Sequence, residues 1–178
     1  MVSMLRASGL VYDYAGGRRA LDGVSFALER GELVCVVGPN GSGKSTLLRL
    51  CAGILAPGAG MLELEGRSVR SLPPRERARR LAFVPQTLRA LPDLAARHFV
   101  LGGRYAHQSV GEGVLARETR ADREAVERAL AEADALDLGE RRLDELSLGQ
   151  FQRVRVARAL AQEAPLFLFD EPSAALDP

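Results

Sequence analysis

Lys44 is the only lysine of the chain; every other cation among its 24 Lys and Arg is an arginine. It stands in Gly38-Pro39-Asn40-Gly41-Ser42-Gly43-Lys44-Ser45-Thr46. A compact ammonium kept where arginine is used everywhere else points to a place that a planar fork does not fit. The run has the spacing G-x-x-x-x-G-K-[ST], in which successive backbone N–H groups curl around a phosphate chain and the lysine reaches its outer oxygens. Ser45 then offers a hydroxyl to a magnesium ion. A second chemical pair, Asp170-Glu171, follows the apolar run Leu166-Phe167-Leu168-Phe169. An acid at the end of such a strand can hold the shell of Mg²⁺, and the next one can orient an attacking water.

Specific elements must carry these groups. Leu33-Val34-Cys35-Val36-Val37 is a continuous apolar run of strand length and predicts a buried parallel strand ahead of the loop. Behind it, Leu47, Leu48, Leu50, Cys51 and Ile54 recur at helical spacing, with Gly53 as the stop. The loop would therefore open a helix whose dipole and unpaired N–H groups face the anion.

The 178 residues suffice to bury a core, as one large domain or as a core with an insert. A formal net charge of +1 with both signs interspersed gives no overall drive toward nucleic acid or an anionic membrane. The densest cluster, Arg75, Arg77, Arg79 and Arg80 with Glu76 among them, reads as a solvated helix face. Cys35 and Cys51 both lie in apolar stretches where a thiol packs, which suits a reducing compartment. The N-terminus lacks a signal-peptide pattern and no run is long enough to span a bilayer, so work at a membrane would go through a partner.

From Met4 to Leu64 the text is strand-rich, broken by Gly16-Gly17, Asp22-Gly23, Arg30-Gly31 and Pro57-Gly58. After Pro92 it turns helical. Val126, Ala129, Leu130, Ala133 and Leu136 make one apolar stripe over residues 120–136, with Thr119 and Asp122 at capping-box spacing and Gly139 as the stop. A further helix is predicted between Leu146 and Pro165, started near Ser147, before the strand that ends in Asp170. Pattern alone thus draws a βαβ-like core interrupted by a helical segment.

Between the two chemical elements lies Leu146-Ser147-Leu148-Gly149-Gln150, followed by Phe151-Gln152-Arg153-Val154 and Ala157-Arg158-Ala159-Leu160. Here the chain resembles the ATP-binding cassette (ABC) ATPases, whose signature reads LSGGQ. Tyr14, beside the Gly16-Gly17 turn, resembles the adenine-stacking aromatic and is preferred to Tyr12 for that position. Gln86 in Phe83-Val84-Pro85-Gln86 resembles the glutamine of the Q-loop, and Ala175-Leu176-Asp177 resembles the D-loop. The resemblance implies an α/β fold with a P-loop NTPase (RecA-like) core, an N-terminal antiparallel β region and a helical insert. Residues 1–91 and 160–178 would form the nucleotide-binding core and residues 92–159 the helical subdomain. It further implies ATP and Mg²⁺, with Lys44, Gln86 and Glu171 catalytic, and Ser45, Gln86 and Asp170 toward the metal. Tyr14, Gly38 to Thr46 and, across a head-to-tail homodimer, Ser147, Gly149 and Gln150 would hold the nucleotide.

Val100-Leu101-Gly102-Gly103-Arg104-Tyr105-Ala106-His107 is similar to a segment of the ATPases that serve iron-siderophore, haem and cobalamin importers. This implies transmembrane permease subunits as partners, a substrate-binding protein indirectly, no nucleic acid, and a peripheral place on the cytoplasmic face of the cell membrane. His98 and His107 are expected to be exposed or packed residues without a catalytic role. Two departures stand out. Leu148 replaces the first glycine of the signature and is expected to strain or loosen its contact with phosphate. The sequence also stops at Pro178, ahead of the strand and switch histidine with which the family continues, so the cassette is expected to be incomplete at its C-terminus and the central sheet to keep unpaired edges. Two other readings stay open at this point: a nucleotide-binding module that does not hydrolyse, and a soluble non-transport ABC protein.

Overall fold

In the computed structural model, which describes residues 3–86, 93–107 and 118–170, the chain divides into two units, Met1–Arg77 and Ala78–Pro178. The first is built on β1 (Leu5–Asp13), β2 (Arg19–Leu28), β3 (Ala59–Leu64) and β4 (Arg67–Ser68), in the sheet order β2-β1-β3-β4 with every pair antiparallel. The register sets Leu5 opposite Leu28 on one side and Leu64 on the other. Leu5, Ala7, Leu62 and Leu64 are buried while Arg6 is exposed, the period-two pattern of a sheet with one covered face. Helix α1 (Lys44–Cys51) buries Leu47, Leu50 and Cys51. It ends at Gly53, whose φ of 67° lets its N–H reach the Leu50 carbonyl while that of Ile54 reaches Arg49, a paired closure that caps two orphan carbonyls. Ile54 itself is exposed, because it lies past that turn.

The predicted strand over Leu33–Val37 does not form. Residues 32–39 belong to no strand or helix, and Leu33 and Val37 are 99% and 88% exposed. Apolar β-branched residues make strand geometry only when a neighbour supplies hydrogen bonds and a surface to cover, and no described residue does so here. Cys35 is consequently exposed rather than packed. Cys51 does pack, and burial pushes its thiol up to about 12.

Where the first unit gives way to the second lies α2 (Pro74–Ala78); its Glu76 pairs with Arg67. The second unit pairs β5 (Leu81–Val84) in parallel with β6 (Leu166–Phe169), Val84 opposite Phe169. Its helices are α3 (Ala96–Leu101), α4 (Arg120–Glu132) and α5 (Leu148–Ala161), and a 3₁₀ segment over Gly102–His107 follows α3. Phe99, Val100, Val126, Leu130, Leu138, Leu143 and Val154 form their common core.

The capping box at Thr119 and Asp122 is present: the Asp122 N–H donates to Thr119 Oγ1 and the Thr119 N–H to Asp122 Oδ2, both at 3.1 Å. The helix stops earlier than predicted. Asp134, at φ 51°, turns the chain just after α4, so Leu136 falls outside the stripe and is exposed, and Gly139 serves a later 3₁₀ turn. Asp tolerates the left-handed region better than most residues, which let it take the place assigned to glycine.

Candidate functional site

The lysine-bearing loop belongs to the first unit. Its shape comes from backbone constraints: the Ser42 N–H donates to the Pro39 carbonyl at 3.2 Å, and Gly43, at φ 96°, is the last residue before α1. A Cβ on Gly43 would stand 2.5 Å from the Ala20 carbonyl oxygen and 2.9 Å from Leu21 Cδ2, so β2 presses on the loop where only glycine fits. Lys44 closes the ring by donating from Nζ to the carbonyls of Gly38 (2.8 Å) and Pro39 (2.9 Å).

No side chain caps the start of α1, and its first turn has no acidic residue. An uncapped helix start that follows the loop Gly38, Pro39, Asn40, Gly41, Ser42 and Gly43 leaves N–H groups of the kind that bind an anion. Ser45 and Thr46 occupy the first turn, and Thr46 is tied to Tyr14 through their hydroxyls at 2.9 Å. Tyr14 stands at the Gly16-Gly17 turn, where its N–H bonds the Arg18 carbonyl at 2.9 Å. The ring of Tyr12 meets that of Tyr14 edge-on, centroids 5.0 Å apart. Arg18 escaped sequence reading although it follows the same turn; its guanidinium would lie 3.6 Å from a Cβ on Gly41.

In the second unit the parallel register brings two predicted residues to the C-terminal end of one strand pair. Asp170 directly follows β6, is buried, and donates its N–H to the Val84 carbonyl at 3.0 Å. Gln86 stands two residues beyond Val84 and is exposed. The carboxyl ends of parallel strands are where open α/β sheets place their ligands.

The signature segment opens α5. Ser147 is its N-cap: the hydroxyl accepts from the Gln150 N–H at 3.3 Å, and the Ser147 N–H donates to Gln150 Oε1 at 3.0 Å. Gly149 lies in the first turn beside them. Leu148 begins the helix without a positive φ and is 76% exposed, so the expected backbone strain is absent and its side chain projects into solvent. An N-cap serine leads directly into αR geometry, which any L-residue adopts.

Glu171 and the Ala175-Leu176-Asp177 segment lie outside the described residues. His107 Nε2 sits 3.0 Å from the Gln162 carbonyl, a packed position. Three residues that sequence reading missed organise this unit: Arg104, Arg155 and Glu163. Arg104 is buried against Asp122 (3.1 Å), Glu163 (2.7 Å) and the Ala161 carbonyl (2.8 Å). Glu163 also terminates α5 at φ 52°. The hydrogen bond from Arg104 is the main reason its carboxylate is held below the usual range, with Arg128 adding to it.

Among the described residues no three His, Cys, Asp or Glu gather into a metal cluster. Magnesium does not need one, because it is ordinarily held by one or two protein oxygens together with phosphates and water. Ser45 in the first unit carries a hydroxyl, and Asp170 in the second a buried carboxylate, each an oxygen ligand of that kind.

A family model described as ABC transporter matches residues 21–174. The chain is 44% identical over 179 residues to the hemin import ATP-binding protein HmuV of Nocardia farcinica, covering 97% of this chain and 59% of that one. It is 41% identical over 157 residues to the probable siderophore transport system ATP-binding protein YusV of Bacillus subtilis, covering 88% and 56%. The chain thus spans a little under three fifths of these relatives. A solved ATP-binding cassette, dimeric in a post-hydrolysis state with ADP and Pi, superimposes with a TM-score of 0.83 at 28% identity over 98% of this chain and 76% of that one. Phosphate loop, strand-end acid and signature helix occur here in the fold of a P-loop NTPase cassette, and the chain belongs to the ABC transporter family.

Proposed function

We propose that this chain binds Mg·ATP and hydrolyses it to ADP and phosphate as the motor of an importer for a metal chelate such as haem, an iron-siderophore or cobalamin. The observation that carries the reading is the loop closed by Lys44 over an uncapped helix start. On binding, Lys44 exchanges its two carbonyl partners for the β- and γ-phosphate oxygens, while the N–H groups from Gly41 to Thr46 hold the phosphate chain. Tyr14 stacks on the adenine. Ser45 and Asp170 are the residues that would hold a magnesium ion, which would supply positive charge to the phosphates. Gln86 senses that charge, and Glu171 orients the attacking water and receives its proton. Lys44 and the loop N–H groups stabilise the charge that develops on transfer.

The relatives named for hemin and siderophore import support the substrate class. The dimeric cassette with ADP and Pi supports a pair of cassettes; the reading makes that pair head-to-tail, with Ser147, Gly149 and Gln150 of one copy meeting the nucleotide held by the other. No helix among the described residues is long and apolar enough to cross a membrane. The reading therefore assigns the membrane passage to permease subunits, with the cassettes peripheral on the cytoplasmic face and a substrate-binding protein delivering the chelate.

The test is a single-turnover assay with purified protein, Mg²⁺ and labelled ATP. Release of one phosphate per site, abolished in Glu171→Gln while ATP still binds, is the expected result. ATP bound but left intact by the unsubstituted protein would replace this reading with that of a non-hydrolysing nucleotide binder.

A further inference from the structure

We propose that Arg155 is a positioning residue that latches the backbone following β5 to the signature helix, so that α5 sets where Gln86 stands. Arg155 Nη1 donates to the Gln86 carbonyl at 3.2 Å and to Gln152 Oε1 at 2.8 Å. The guanidinium carbon lies 5.9 Å from the centroid of the Phe151 ring. Gln152 and Phe151 are three and four residues back along α5, so they share a helical face with Arg155 and fix the guanidinium to its own helix. The remaining acceptor, 69 residues away in sequence, is the backbone of Gln86. One planar group therefore joins two elements, and it does so at the carbonyl of the residue assigned to sense the γ-phosphate.

A purely packing role fits poorly. Nη2 of Arg155 is buried without an acceptor among the described residues, and burial pushes the guanidinium below its ordinary value. A buried, unpaired donor is costly, whereas leucine or methionine would fill the same space without desolvating a charge. The cost is explained if the fork is needed for the bond to Gln86.

The other end of the latch matters equally. Val84, two residues before Gln86, accepts from the Asp170 N–H. The segment held by Arg155 is thus the one that borders the end of β6. Ser147, at the start of α5, stands eight residues before Arg155, about two helical turns along one rigid rod. α5 also packs on β5 through Ala159 against Ala82 and Val84, but the hydrogen bond from Arg155 is made to the backbone of Gln86 itself.

The proposal rests on the ATPase reading for its kinetic consequence but not for its geometry, and the experiment separates the two. Arg155→Met and Arg155→Lys are made in the full chain, alone and together with Gln86→Ala. Steady-state Mg·ATP hydrolysis is measured alongside amide hydrogen exchange of the peptide carrying Leu81 to Gln86. Arg155→Met is expected to lower kcat about tenfold with KM within about twofold, because the nucleotide cradle is untouched. Arg155→Lys, which can still donate to one carbonyl, should restore part of that loss.

In the Gln86→Ala background the backbone carbonyl remains but the side chain to be placed is gone, so Arg155→Met should change kcat by less than about twofold. Exchange at the end of β5 should quicken in Arg155→Met while that of α4 stays the same. Equal losses in both backgrounds, or no loss and unchanged exchange, would overturn the latch. If the unsubstituted protein turns over no ATP, the function reading fails and exchange alone decides: unchanged protection at Gln86 in Arg155→Met and Arg155→Lys then overturns the proposal.

Discussion

The hydroxyls of Tyr14 and Thr46 lie 2.9 Å apart, which ties the aromatic at the end of β1 to the first turn of the helix that opens behind the phosphate loop. The bond orients the ring, while its π-face is what would hold an adenine. The two contributions separate by substitution. Tyr14→Phe keeps the ring and loses the tether, and is expected to weaken ATP binding by no more than about threefold, near the ordinary worth of one hydrogen bond. Tyr14→Ala should weaken it by roughly 10-fold or more, the scale of one base–aromatic stack. Tyr12→Ala, at the residue that meets Tyr14 only edge-on, should resemble the Phe variant. A fluorescent ATP analogue titrated into each protein measures this, and a larger loss at Tyr12 than at Tyr14 would reverse the assignment.

Gly43 is the position of the loop least able to change. Gly43→Ala must accept both φ 96° and a Cβ 2.5 Å from the Ala20 carbonyl oxygen, which is backbone and cannot swing away. The expected cost is roughly 2–4 kcal/mol, from left-handed strain together with displacement of β2 from α1. Urea unfolding should show a lowered midpoint with the slope kept, and nucleotide binding should be lost in the fraction still folded. An unchanged midpoint would mean that β2 yields to the methyl group.

Arg104 makes the helical unit sensitive to acid. Burial alone would raise Asp122, but hydrogen bonds from Thr119 and Arg104 outweigh it and hold the carboxylate below its usual range, as Arg104 does for Glu163. Both groups therefore stay charged in the folded protein at pH values where the unfolded chain has taken up protons. Their stabilisation is complete above the ordinary carboxylate range and is lost as pH falls through about 4 and below. The unfolding midpoint should hold from neutral pH to about pH 5 and then drop. Arg104→Met should lower stability by about 3 kcal/mol at neutral pH, because Asp122 is left buried without its cation, and should flatten the acid slope. A variant that keeps the full slope would place the acid sensitivity elsewhere.

Legibility in the sequence followed locality. Ser147 and Gln150, or Thr119 and Asp122, are three residues apart, and their caps depend on little beyond that spacing. The same holds for the phosphate loop, whose form is set by its own glycines, and for β6, which leads to Asp170. Leu33 to Val37 failed because strand geometry is a property of a pair: the run has the right residues, and no described strand bonds to it. Asp134 ended α4 where glycine was expected because several residue types tolerate that turn. Arg104 and Arg155 stayed hidden for the opposite reason. Among 24 Lys and Arg no local pattern distinguishes an arginine whose partners lie 57, 59 or 69 residues away.

Leu148 shows where such a local rule misleads. Replacement of a signature glycine predicted strain, yet the residue starts α5 with ordinary backbone geometry and its side chain stands in solvent. What remains of the effect is steric. If a second copy brings its nucleotide to the N-terminus of α5, a γ-branched side chain beside Ser147 holds the phosphate away from the N–H groups that would receive it. Leu148→Gly should then tighten ATP-dependent dimerisation and raise hydrolysis by roughly threefold to 10-fold, the worth of about 1 kcal/mol of added contact. It should also lower the melting temperature slightly, since glycine in the first turn costs up to about 1 kcal/mol of helix stability. Loss of stability with gain of activity is a combination that a general loosening of the helix would not give. Sedimentation with ATP under non-hydrolysing conditions reads the first effect and phosphate release the second, and unchanged dimer affinity together with unchanged turnover would show that nothing docks on this end of α5.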